Sequence, residues 1–150
     1  MHISRPRPTL EDIYSQLAAM PHLGVEAGDI FHIPSEHLNF RSDRPFRYCA
    51  VVALEAAPGD KHPTRAHLIV GSTRPDFDTS VPCVEVAAGS GGLAEITFFA
   101  CDEASDVPLH ILRDRSQCQY LDRLDRDQVR QLHDAIRKSP TLGHLVKWLS

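Results

Sequence analysis

The chain has 150 residues, 42% of them hydrophobic and 24% charged, with a formal net charge of −4. That length suits one domain with a core of its own and leaves no space for a second full domain. The acidic balance speaks against broad non-specific nucleic-acid binding, and no apolar run is long enough for a membrane span, so no membrane partner is expected.

Met1-His2-Ile3-Ser4-Arg5-Pro6 contains no apolar signal region, and a cytoplasmic location is expected. Cys49, Cys83, Cys101 and Cys118 form no C-x-x-C pair and read as reduced core thiols. His32 and His37, like His62 and His67, are five apart, which fits neither helical nor strand spacing for a shared metal. No metal or other cofactor is expected.

In chain order, residues 1–8 read as an extended lead-in because of Pro6 and Pro8. Thr9 is a helix N-cap, and Leu10, Ile13, Tyr14, Leu17 and Met20 make an apolar helical face over residues 9–20, ended by Pro21 and Gly24. A short strand is expected at residues 29–33, stopped by Pro34, and then a polar loop. Residues 46–55 are β-branched and aromatic enough for a strand buried on both faces. Pro58-Gly59-Asp60 is a turn, and residues 66–70 a further buried strand.

Residues 83–86 and 94–100 are expected to pair as a hairpin across the tip Gly89-Ser90-Gly91-Gly92, and residues 107–112 to form one more strand. Asp125 and Gln128 have the spacing of a capping box, and Leu124, Val129, Leu132 and Ile136 form a helical stripe up to Ser139-Pro140. Leu142, Leu145, Val146 and Leu149 outline a last amphipathic segment. Short strands followed by helices predict an α+β, mainly β, chain: an antiparallel sheet or small barrel with helices packed against it.

Residues 28–73 hold the candidate chemistry. Arg41, Arg44, Arg47, Arg65 and Arg74 are a local excess of positive charge in an acidic chain, which suits an anionic ligand, because guanidinium groups grip phosphate with paired hydrogen bonds. The plain alternative is a solvated, salt-bridged loop. Ser72 and Thr73, at the end of a buried strand, either cap a turn or present hydroxyls to that ligand. The Gly89–Gly92 stretch lacks the lysine of a phosphate cradle and reads as a hairpin tip.

The order of these features resembles the MazF/PemK family of toxins. It runs from Gly28-Asp29 opening a strand, through a polar loop to Arg44-Pro45, two buried strands ending in Ser72-Thr73, a Val-Glu-Val strand and a final strand, to a capped helix. The resemblance covers residues 28–137 by motif order. It implies a small SH3-like barrel, also shared by the CcdB toxins, to which this chain adds the N-terminal helix at residues 9–20 and the C-terminal segment from Ser139 onward.

It further implies a homodimeric toxin of a toxin–antitoxin pair that cleaves single-stranded mRNA without metal and is held by an antitoxin peptide. The RNA 2′-OH is the nucleophile. Arg44 takes the place of the catalytic arginine and Thr73 or Ser72 that of the hydroxyl, with Arg41, Arg47, Arg65 and Arg74 as substrate-binding residues. Phe46-Arg47-Tyr48-Cys49 stands where the family runs directly into an aliphatic strand, so Arg47 competes with Arg44 for the catalytic role. A non-catalytic binding module on the same barrel, or a toxin of that fold inhibiting DNA gyrase, are the alternatives.

Overall fold

A computed structural model describes residues 9–10, 24–39, 44–74 and 80–149. Five successive residues, 49–53, are buried, which requires that β2 (Phe46–Glu55) run inside a sheet covered on both faces. Its neighbours are β1 (Asp29–Pro34) and β3 (Arg65–Ser72). With β4 (Cys83–Val86), β5 (Thr97–Pro108) and β6 (Gln119–Arg123) they form one antiparallel sheet in the order β4-β5-β3-β2-β1-β6.

The sheet curls into a half-barrel, and three register shifts accompany the curl. The largest lies between the pairs Ile69–Ala104 and Gly71–Phe99, where β5 advances five positions against two of β3. The first half of β5 therefore bridges β4 and β3, and the second half pairs with β3 alone.

Alternation along the strands sorts the core into two layers. On one face Ile30, Ala50, Val52, Ile69 and Phe99 meet Leu132 and Ile136 of a helix, Arg126–Lys138, and Leu145 of the 3-10 segment Gly143–Trp148. On the other, Phe31, Ile33, Cys49, Val51 and Leu68 meet Leu109 and Leu112 of a single helical turn, Leu109–Leu112. The turn is α1 and the long helix α2. Asp125 and Gln128 close the capping box at the start of α2, as their spacing requires.

The strands expected at 46–55 and 83–86 have those bounds, while those expected at 29–33 and 66–70 are one to three residues longer. Two expectations are corrected, while residues 83–86 pair with the start of β5 as the expected hairpin across the glycine tip. The strand placed at 94–100 starts at Thr97 and continues to Pro108. Of residues 107–112, only the first two are strand; the rest coil into α1, because Leu109 and Leu112, three apart, both reach the same core layer.

The glycine tip does not project. Ser90–Gly92 folds as a 3-10 turn onto β6, and a Cβ on buried Gly91 would stand 2.9 Å from Leu124 Cδ2. The helix expected over 9–20 lies, beyond its first two positions, outside the described residues. No helix among the described residues is long and apolar enough to cross a membrane. The four thiols are free, and burial raises Cys101 to about 12 and Cys118 to about 11.

Candidate functional site

The end of the sheet where β1 stops, β2 starts and β3 stops gathers most of the candidate residues. Ser35 ties this end together: its hydroxyl donates to the Arg44 carbonyl, and its N–H donates to the Pro45 carbonyl at 2.9 Å. The Arg44 position is thereby fixed against the turn after β1. Arg44 lines an open pocket of about 710 Å³ with Pro34, Glu36, Phe46, Ser116 and Gln117.

One residue along from Phe46, Arg47 Nη2 donates to the Gly71 carbonyl at 3.3 Å across the β2–β3 ladder. Ser72 follows Gly71. Its hydroxyl donates to the Arg74 carbonyl at 3.3 Å and accepts from the Arg74 N–H at 3.1 Å, so it caps the turn that leaves the sheet. Thr73 is half-buried inside that turn and Arg74 is exposed.

Strand register also builds a row the sequence did not announce. Gln119, His32, Tyr48, Gly71 and Phe99 are consecutive cross-strand partners on one face. The His32 ring stacks on Tyr48 at 4.8 Å and on Phe46 at 5.2 Å between centroids. Phe46 ends the stack with 47% of its surface exposed. Burial lowers the His32 pKa from its ordinary value, which favours the neutral ring. The sequence signal for this row was the alternation of Phe46 and Tyr48 in β2, legible only once β1 was known to pair with it.

Arg44, Arg47, Ser72, Thr73 and Arg74 are thus brought to one end of the sheet. Arg65 is not. It begins β3, roughly 23 Å from Ser72 at about 3.3 Å per residue, and donates from Nε to Asp106 at 2.6 Å. Arg41 lies outside the described residues.

The Gly28-Asp29 pair stands at the far end and holds the fold. Asp29 has no solvent exposure and accepts from the Glu26 N–H at 2.8 Å and from Arg123 Nε at 2.6 Å. Gly28 has φ +100, and a Cβ there would fall 2.7 Å from Val129 Cγ2. Among the described residues no three His, Cys, Asp or Glu side chains converge as metal ligands.

No family model matches the chain, and no curated protein matches it. The chemistry has to be read from the site. Guanidinium groups beside an exposed aromatic stack can hold phosphates and stack unpaired bases at once.

Proposed function

We propose that the protein is a metal-independent endoribonuclease that cleaves single-stranded RNA in the cytoplasm, as the toxin of a toxin–antitoxin pair. The observation that carries the reading is the gathering of Arg44, Arg47, Arg74 and the Ser72-Thr73 pair beside the Phe46–His32–Tyr48 stack. The half-barrel is compatible with a small barrel, and the SH3-like barrel of MazF/PemK toxins, the homodimer and the antitoxin peptide belong to the same proposal.

An unpaired base stacks on Phe46, which sets the next phosphodiester at the mouth of the Arg44 pocket. The neighbouring 2′-oxygen attacks phosphorus and the bond to the 5′-oxygen breaks. The 2′ proton leaves to a base, and a proton is returned to the 5′-oxygen. The products are a 2′,3′-cyclic phosphate and a 5′-hydroxyl end. Arg44 stabilises the charge on the phosphorane, Thr73 holds a non-bridging oxygen, and no protein nucleophile is needed.

One observation favours a second reading, an RNA-binding module without cleavage: Ser72 Oγ and Arg47 Nη2 are both engaged with backbone groups of their own sheet end. The two readings separate when purified protein is incubated with end-labelled single-stranded RNA of mixed sequence in the presence of a chelator. Discrete fragments ending in cyclic phosphate support cleavage. Bound but intact RNA supports the module, and RNA neither bound nor cut overturns both.

A further inference from the structure

A second basic site lies at the other end of the sheet. Arg126, Arg130, His133 and Arg137 on α2 are spaced four, three and four apart, which puts them within about 60° of one another around the helix axis. They line a cavity of about 790 Å³ between α2 and the ends of β2 and β6. That volume falls in the range of about 300–1,000 Å³ typical of small-molecule sites. Ala53, Leu54 and Val129 give its lining an apolar part, beside Glu26 and Arg123.

The basic row is fixed in place. His133 is buried, and its Nε2 donates to the Val52 carbonyl at 2.8 Å, which pins α2 to β2 beneath the row. Arg123, on the rim, is held by Asp29 and by Glu26 at 3.0 Å.

The other arginines are available to a ligand. Arg130 faces Asp127 at 3.8 Å and Arg137 faces Asp134 at 3.2 Å, both exposed pairs on one helix that solvent keeps weak. Arg126 enters no ion pair among the described residues. Arg126 and Arg130 are four residues apart, roughly 6 Å along the axis at about 1.5 Å per residue. That spacing lets each guanidinium take one of two linked phosphates.

We propose that this cavity binds a nucleoside di- or triphosphate, with its linked phosphates on Arg126 and Arg130 and its nucleoside against the apolar lining at Ala53 and Val129. Guanidinium groups suit the phosphates because they stay charged and donate in pairs. The site is separate from the Arg44 pocket: Leu54 is near the end of β2 and Arg47 near its start, roughly 23 Å apart at about 3.3 Å per residue.

Calorimetric titration of the full chain with ADP and, separately, with inorganic pyrophosphate tests the site. An Arg126→Gln/Arg130→Gln double variant, checked for folding by circular dichroism, is titrated alongside. ADP is expected to bind in the micromolar range, at least about tenfold more tightly than pyrophosphate, and the double variant to weaken ADP at least about tenfold. The proposal is overturned if ADP gives no binding heat at millimolar concentration or binds no more tightly than pyrophosphate. It is equally overturned if a folded double variant binds ADP unchanged.

Discussion

Arg123 reaches across from β6 to place its Nε 2.6 Å from Oδ1 of Asp29, a carboxylate with no solvent exposure at the start of β1. The other Asp29 oxygen accepts the Glu26 N–H at 2.8 Å, so one side chain joins the edge strand to the segment that enters the sheet. The hydrogen bond to Asp29 also raises the Arg123 pKa from its ordinary value.

Asp29→Ala therefore leaves Arg123 Nε and the Glu26 N–H without their acceptor, while Arg123 Nη1 keeps Glu26. A loss of about 2–4 kcal/mol is expected, below the full range for a buried pair because Arg123 is partly exposed. Urea denaturation followed by circular dichroism measures it. Asp29→Asn, which keeps the shape and one acceptor oxygen, is expected to lose less.

Gly71 makes room for the Phe99 ring: an added Cβ would stand 2.7 Å from Phe99 Cε1 and 2.6 Å from Thr97 Cγ2. Gly71→Ala is expected to cost about 1–3 kcal/mol by overpacking. Phe99→Leu in the same chain should make the alanine less costly, and a double-mutant cycle of thermal midpoints reads that coupling.

His32 gives the acid side of stability a specific source. Its folded pKa is lowered by burial, so below the ordinary value of 6.5 the unfolded chain binds the proton more readily. This contribution to stability is present above 6.5 and is lost as pH falls through the lower folded value. His32→Phe preserves stacking and should flatten the fall in thermal midpoint between pH 7.5 and 5.5; an unchanged slope would assign that fall to other groups.

Phe46 exposes 47% of its surface at the end of the aromatic stack. Phe46→Ala is expected to weaken single-stranded RNA binding by about 1–3 kcal/mol, the range for one stacked base. Fluorescence anisotropy with a labelled oligonucleotide reads this, and duplex RNA, which has no free base to offer, should show little difference.

The physical origin of each signal explains what was legible in the sequence. The apolar run at residues 46–55 and the Asp125–Gln128 capping box announce themselves, because burial on both faces and cap chemistry are local patterns. β6 was missed because Gln119–Arg123 is an almost wholly exposed edge strand without alternation, recognisable only from its pairing with β1.

The same limit applies to the site. Arg47 and Ser72 could be grouped from the strands that carry them, and Arg44 from the loop that enters β2, but Arg65 could not be excluded until β3 had a direction and Asp106 a register. His32 joined the site only through its partners Tyr48 and Phe46.

The central claim is that Arg44 supports cleavage of RNA by its own 2′-OH. Its most direct test is the rate at which Arg44→Ala, shown by circular dichroism to be folded, cuts end-labelled single-stranded RNA in a chelating buffer, with fragment ends identified by mass spectrometry. The account predicts that the unmodified protein yields 2′,3′-cyclic phosphate ends with or without chelator, and that Arg44→Ala is slower by about 100-fold or more. Cleavage by Arg44→Ala at the unmodified rate, or fragments lacking the cyclic phosphate, would contradict it.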